Sequence, residues 1–341
     1  MRIVLERTAV LVAALCIASS AALAADYGNN VPGETWLINT RSTSLCGGLE
    51  NGLSGIQCWK LTGDRWEPAD FDTFDKQSDP SIPTIVFVHG NRTTSNNAVR
   101  DGSQLRNRLR RLANERPFRL VVWSWPSSRA LKKIRKDVQA KARRSDVESY
   151  YLATWLRQVK KSNTGTPISL VGYSLGARAI TGALHMLAGG QVAGRGLPDD
   201  AEADVDSEAA GVSNTVIEKE ARTPFRVVLV AGALDDNWLL PGRRNGLALS
   251  QVDKMLITRN RADSILRWYP LMHGPRGNEA LGYVGPRSCG RLYSGDGTIE
   301  IMDLRCSVGS AHSWACYTAD WKLNSQLAFY TFLETPEEPS Q

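Results

Sequence analysis

An α/β fold, with a mostly parallel central sheet and helices on both faces, is the architecture this 341-residue sequence predicts. Three observations carry that expectation. Short apolar runs rich in Val and Ile, such as Thr84 to Val88 and Ile168 to Val171, have the length and branching of fully buried strands. Longer segments between them repeat their apolar residues every three or four positions, which is helical spacing. One strand-like run also ends in a glycine-flanked turn and passes directly into a helical pattern at Gly172 to Gly176. With 42% hydrophobic and 22% charged residues, the chain has ample material for a core. It shows no glycine period, sustained heptad or internal repeat, which excludes collagen-like, coiled-coil and solenoid designs.

Taken in order, Thr35 to Thr40 and Ile56 to Leu61 read as opening strands, and Thr84 to Val88 as a central one. Ala98, Leu105, Leu109 and Leu112 share one face of a helix from about Ser95 to Ala113, stopped by Pro117. Arg119 to Trp123 is the next strand. Val147, Tyr151, Trp155 and Val159 then recur every four residues, and Gly165 closes that helix. Ile168 to Val171, Val227 to Val230, Met255 to Thr258 and Thr298 to Asp303 complete the strands. A glycine- and acid-rich insertion at about 190–222 has no period and reads as a flexible surface segment. No linker divides the chain, so residues 25–341 are expected to form one domain.

The N-terminus follows another logic. Arg2 and Arg7 precede an apolar stretch from Ala9 to Ala18, and the small residues after it end at Ala22-Leu23-Ala24, the layout of a cleaved export signal covering residues 1–24. Too short to span a bilayer, the stretch argues for a periplasmic or extracellular destination. Cleavage changes the basic and acidic totals from 41 and 35 to 39 and 34. The basic residues gather in Arg100 to Arg119 and Arg129 to Arg144, which suits weak contact with anionic surfaces, while export disfavours a nucleic-acid partner. Five cysteines remain, with Cys46 and Cys58 the expected disulfide pair and Cys289, Cys306 and Cys316 of open connectivity. No CxxC or His spacing suits zinc, so neither metal nor cofactor is expected.

The chemistry concentrates at Gly172-Tyr173-Ser174-Leu175-Gly176. A turn this tight between strand and helix strains Ser174, exposes its hydroxyl above the sheet, and demands glycine two residues to either side. The helix N-terminus beneath it favours developing negative charge. Together, His89-Gly90-Asn91-Arg92 after the earlier strand, Trp123-Ser124-Trp125-Pro126-Ser127, Gly172 to Arg178 and Ala233-Leu234-Asp235 resemble the α/β-hydrolase superfamily, and within it a group of largely uncharacterised bacterial hydrolases. The likeness runs from about Thr35 to Trp314.

That resemblance implies an α/β-hydrolase fold, Ser174 as nucleophile, and an oxyanion hole made by the backbone N–H groups of Asn91 and Leu175. It also implies the order nucleophile, acid, base along the chain. Of the four histidines, His89 sits in the oxyanion loop and suits bracing, and His185 lies eleven residues along the helix, roughly 16 Å from Ser174. His312, in a loop after the last strand, is the better-placed base, with His273 as the alternative. Asp263 is the acid in the expected order, and Asp235 is its rival at the end of the preceding strand. Trp123, Trp125, Trp238 and Trp268 stand near strand ends, where such sheets bind ligands, and are candidates to line an aromatic pocket.

The expected activity is that of a carboxylester hydrolase working through Ser174, His312 and Asp263 on a small-molecule or lipid-like ester. An amidase or peptidase of the same fold is the alternative enzyme, and a non-catalytic binding protein the alternative of another class. Dehalogenase chemistry is disfavoured, because it needs a carboxylate where Ser174 stands.

Overall fold

The computed structural model describes residues 33–43, 52–198, 224–273, 277–287 and 298–334. The segment expected to be an export signal, Cys46, Cys289 and most of the acidic insertion therefore lie outside the described residues.

Nine strands form one sheet: β1 (Gly33–Asn39), β2 (Gln57–Thr62), β3 (Arg65–Ala69), β4 (Thr84–Val88), β5 (Phe118–Ser124), β6 (Ile168–Tyr173), β7 (Phe225–Val230), β8 (Val252–Arg259) and β9 (Ile299–Asp303). Their order across the sheet is β3-β2-β1-β5-β4-β6-β7-β8-β9. Only the β1-β2-β3 edge is antiparallel; every other pairing is parallel. Strands β4, β5 and β6 are buried at every position, because both sheet faces are covered.

Helices α1 (Ser95–Leu112), α2 (Ile134–Ser162), α3 (Leu175–Leu187), α4 (Trp314–Ala319) and α5 (Trp321–Tyr330) supply that cover. A Cβ on Gly102 of α1 would meet Val122, whereas Glu148 of α2 accepts a hydrogen bond from the indole of Trp123. Successive strand residues point to opposite faces, so α1 and α2 lie on opposite sides of the sheet. Helix α4 joins α1, with the Trp314 indole donating to the Asp101 carbonyl at 3.0 Å and its ring 4.5 Å from that of Phe87.

Two elements differ from expectation for physical reasons. Strand β3 has no apolar alternation because it is an exposed edge, where Pro68 costs no ladder hydrogen bond. Helix α2 begins well before Val147. Its first turns bury Asp137, Arg144, Ser145 and Asp146, which hydrogen-bond to the backbone of Ala130, Leu131 and Ala142 and to the side chains of Glu148 and Arg178, and so carry no hydrophobic period.

Cysteine chemistry also departs from the sequence reading. Among the described residues no disulfide is present, and Cys58, Cys306 and Cys316 are free thiols. Burial, with a smaller contribution from Asp70, pushes the Cys58 thiol up to about 12, far from reactive. No helix of the described residues is long and apolar enough to cross a membrane.

Candidate active site

The carboxyl end of β6 turns through Ser174, at φ 54° and ψ −115°, straight into α3. A non-glycine residue holds such a backbone only when its surroundings over-determine it. They do: the Ser174 N–H donates to the Val230 carbonyl at 2.9 Å, and the Ser174 carbonyl accepts from Ala177 and Ala233, both at 3.1 Å. The flanking glycines are required by contact. A Cβ on Gly172 would sit 2.8 Å from the Ala177 backbone, and one on Gly176 only 2.0 Å from the Val88 carbonyl oxygen.

The loop after β4 is pressed against this elbow, since a Cβ on Gly90 would lie 3.0 Å from that of Ser174. His89 is fully buried and braces the loop. Its Nδ1–H donates to the Gly90 carbonyl at 2.9 Å, which leaves Nε2 to accept the Trp125 backbone N–H at 3.1 Å. Burial holds His89 neutral, with a pKa of about 3. Ser127 clamps the next turn, its carbonyl accepting from Arg92 N–H at 2.8 Å and its hydroxyl from Thr93 N–H at 3.1 Å. Among the described residues, neither the Asn91 nor the Leu175 backbone N–H has a protein acceptor, and both residues line the cavity that holds Ser174.

Asp263 and His312 arrive on two loops, after β8 and after the helical turn Arg305–Val308. His312 Nδ1 lies 2.7 Å from Asp263 Oδ2, and Nε2 lies 3.2 Å from Ser174 Oγ. With a carboxylate as acceptor, the proton belongs on Nδ1, so Nε2 is free to accept the serine hydroxyl. Asp263 is wholly buried and also accepts the N–H groups of Ile265 and Leu266, both at 2.9 Å, and the Tyr317 hydroxyl at 2.9 Å. Burial alone pushes its carboxyl up, but the His312 bond and charge, with those two N–H groups, hold it below the ordinary carboxylate range.

The other candidates sit elsewhere. Asp235 accepts from the Tyr269 hydroxyl at 2.7 Å and the Asn278 amide at 2.9 Å, which uses both its oxygens away from the imidazole. His185 accepts the Leu247 N–H on the far part of α3. His273 ends the helical turn Pro270–His273, and its side chain lies outside the described residues. Trp238 and Trp268 line the cavity as expected. Trp123 and Trp125 are instead fully buried, their indoles bonded to Glu148 and to the His89 carbonyl.

Two residues essential to this geometry escaped the sequence reading. The Asn260 side-chain amide donates to the Gly309 carbonyl at 2.8 Å and to the Tyr317 hydroxyl at 3.1 Å, tying the acid loop to the base loop. Tyr317 passes the contact on to Asp263. A buried Asn three residues before the acid, and a Tyr one helical turn beyond the loop of His312, were the available signals.

A mostly parallel sheet whose central strand turns through a strained serine into a helix, with a carboxylate and an imidazole carried by later loops, is the arrangement of the α/β-hydrolase fold. The family model described as "Alpha/beta hydrolase of unknown function (DUF900)" matches residues 69–211, a stretch that includes Asn91 and Ser174 but ends before Asp263 and His312. That match and the sheet topology support an assignment to the α/β-hydrolase superfamily. No curated protein matches it. Among solved structures, a gene product of Listeria innocua is similar at 14% identity and a TM-score of 0.38, over 73% of this chain and 93% of that one.

Proposed function

We propose that this protein is a serine hydrolase that cleaves carboxylic esters through a covalent acyl-enzyme. The observation that carries this reading is the continuous path from Ser174 Oγ through His312 to Asp263, at 3.2 and 2.7 Å, opening on a cavity of about 1040 Å³. Ser174 Oγ forms a bond to the ester carbonyl carbon while its proton passes to His312 Nε2. The resulting oxyanion accepts hydrogen bonds from the Asn91 and Leu175 N–H groups, a contribution typically on the order of 10² to 10³ in rate for each donor. Collapse breaks the bond to the leaving alcohol, which takes the proton from Nε2. Water then attacks the acyl-enzyme, giving its proton to the same nitrogen, and Ser174 is regained as the acid departs.

Export of the chain after residue 24 belongs to the same reading, on the strength of the charged, apolar and small-residue order of the N-terminus. The run from Arg129 to Lys136 is exposed throughout and contains five cations, which supports weak contact with anionic surfaces.

The test uses a short p-nitrophenyl ester and a fluorophosphonate probe. Purified protein is expected to hydrolyse the first and to be labelled by the second, and Ser174→Ala to lose both with an unchanged circular-dichroism spectrum. A folded wild type that neither turns over nor labels would leave the binding-protein alternative standing.

A further inference from the structure

The cavity beside Ser174 has more cationic donors than its carboxylates can satisfy. Four guanidinium groups line it, those of Arg92, Arg143, Arg178 and Arg244, against only two carboxylates, Asp146 and Asp235. Both carboxylates are fully engaged. Asp146 Oδ1 accepts Arg178 Nε at 2.9 Å, and its Oδ2 accepts Arg178 Nη2 at 2.9 Å and Arg244 Nη2 at 2.7 Å. Asp235 is spent on Tyr269 and Asn278.

What remains is a surplus of positive charge with open hydrogen-bonding capacity. Arg178 is 5% exposed, and its Nη1 is buried with no partner among the described residues. A buried guanidinium nitrogen left without an acceptor is costly, and a ligand oxygen removes that cost. The guanidinium group cannot turn away. It is forked onto Asp146 and stacked on the Trp238 ring at 4.6 Å, with Arg244 over the same ring at 4.5 Å. Arg92 and Arg143 make no side-chain hydrogen bond or ion pair among the described residues. Arg178 lies four residues after Ser174, in the first turn of α3, and both line the same cavity, so an anion held there and a carbonyl at Ser174 can belong to one small molecule. Apolar and aromatic side chains, among them Trp268, Ile265, Leu266 and Tyr173, make up much of the remaining wall.

We infer that the cavity selects an amphiphilic ester bearing an anionic group, a carboxylate or phosphate, which is seated at Arg178 with Arg92 and Arg143 neutralising it from the rim. This deepens the serine-hydrolase reading and rests on it for the word ester; the anion site itself does not.

The experiment therefore separates binding from turnover. Full-length Ser174→Ala protein is titrated at low salt with n-octyl phosphate and with n-octanol, following tryptophan fluorescence. Octyl phosphate is expected to bind at least tenfold more tightly, with the advantage shrinking as salt is raised. Arg178→Lys is expected to remove most of that preference while retaining the charge. Because this change touches a buried ion pair, Arg92→Gln/Arg143→Gln, at exposed positions, provides a second arm expected to weaken octyl phosphate at least threefold and to leave octanol unchanged. Equal affinity for the two ligands in the parent protein would overturn the inference, as would an unaltered preference in both variants. Vesicles of phosphatidylglycerol against phosphatidylcholine distinguish a lipid source of the anion, which binds only the former, from a soluble one, which binds neither. In the active enzyme, a p-nitrophenyl ester with a terminal carboxylate is expected to exceed its neutral counterpart tenfold in kcat/KM. Selective binding without any turnover would sink the hydrolase reading and keep the anion site.

Discussion

Ser174 and His312 are positioned by different means, although their side chains are within hydrogen-bonding distance. The half of the site around Ser174, the proposed nucleophile, is set by backbone: strand β6, the elbow and α3 are locked by main-chain hydrogen bonds and by glycines whose missing Cβ atoms let Val88 and Ala177 approach. The half that carries His312, the proposed base, is set by side chains. Loops after β8 and β9 have little regular structure, and Asp263, Asn260 and Tyr317 hold them together. Changes in the first half should therefore show as lost stability, and changes in the second as lost rate in a protein that still folds.

The largest effect expected is from Asp263→Asn, which keeps the volume but loses the acceptor that keeps the proton on His312 Nδ1. A fall in kcat of about 10⁴, or about 5.5 kcal/mol, is expected with little change in urea midpoint. A drop below tenfold would break the division just drawn.

Next is the acid sensitivity of the loop after β4. His89 has a folded pKa of about 3 against an ordinary 6.5, so the unfolded chain binds a proton that the folded one refuses. Stability from this residue is complete above pH 6.5 and falls as pH drops toward 3, by roughly 4–5 kcal/mol in total. Urea melts at pH 7, 5 and 4 check this, and His89→Gln should flatten the slope.

Gly176→Ala should cost about 3 kcal/mol or more, because its methyl group meets the Val88 carbonyl, which is backbone and cannot rotate aside. Thermal unfolding measures it; an unchanged Tm would mean that the elbow yields.

The smallest effect sharpens the comparison most. Tyr317→Phe removes one donor to Asp263 and the acceptor for Asn260, and is expected to lower kcat about tenfold, or about 1.4 kcal/mol, with KM unchanged. A shift in KM instead would place Tyr317 in substrate binding.

The same contrast explains what could be read in advance. Gly172, Ser174 and Gly176 announce the elbow because steric necessity dictates residue type at fixed spacing. The strands around it are equally plain, since burial on both faces leaves uninterrupted Val and Ile. Asp263 and His312 were the first choices from chain order once the superfamily resemblance was in hand, with Asp235 a near rival on sequence and His273 a poorer-placed one. Asn260, Tyr317 and the cluster of Arg178, Arg244, Asp146 and Trp238 could not be read. Each depends on residues tens of positions apart whose partnership exists only after the chain has folded, and polar side chains leave no period to betray burial.

Asn260 has one further implication. A single carboxamide reaches Gly309 and Tyr317 at once, so the loops after β8 and β9 are held in place as a pair. Transplanting the segment around His312 into another scaffold without its companion is expected to deliver an imidazole with no fixed heading. The family match stops at residue 211, so both of these loops lie outside it.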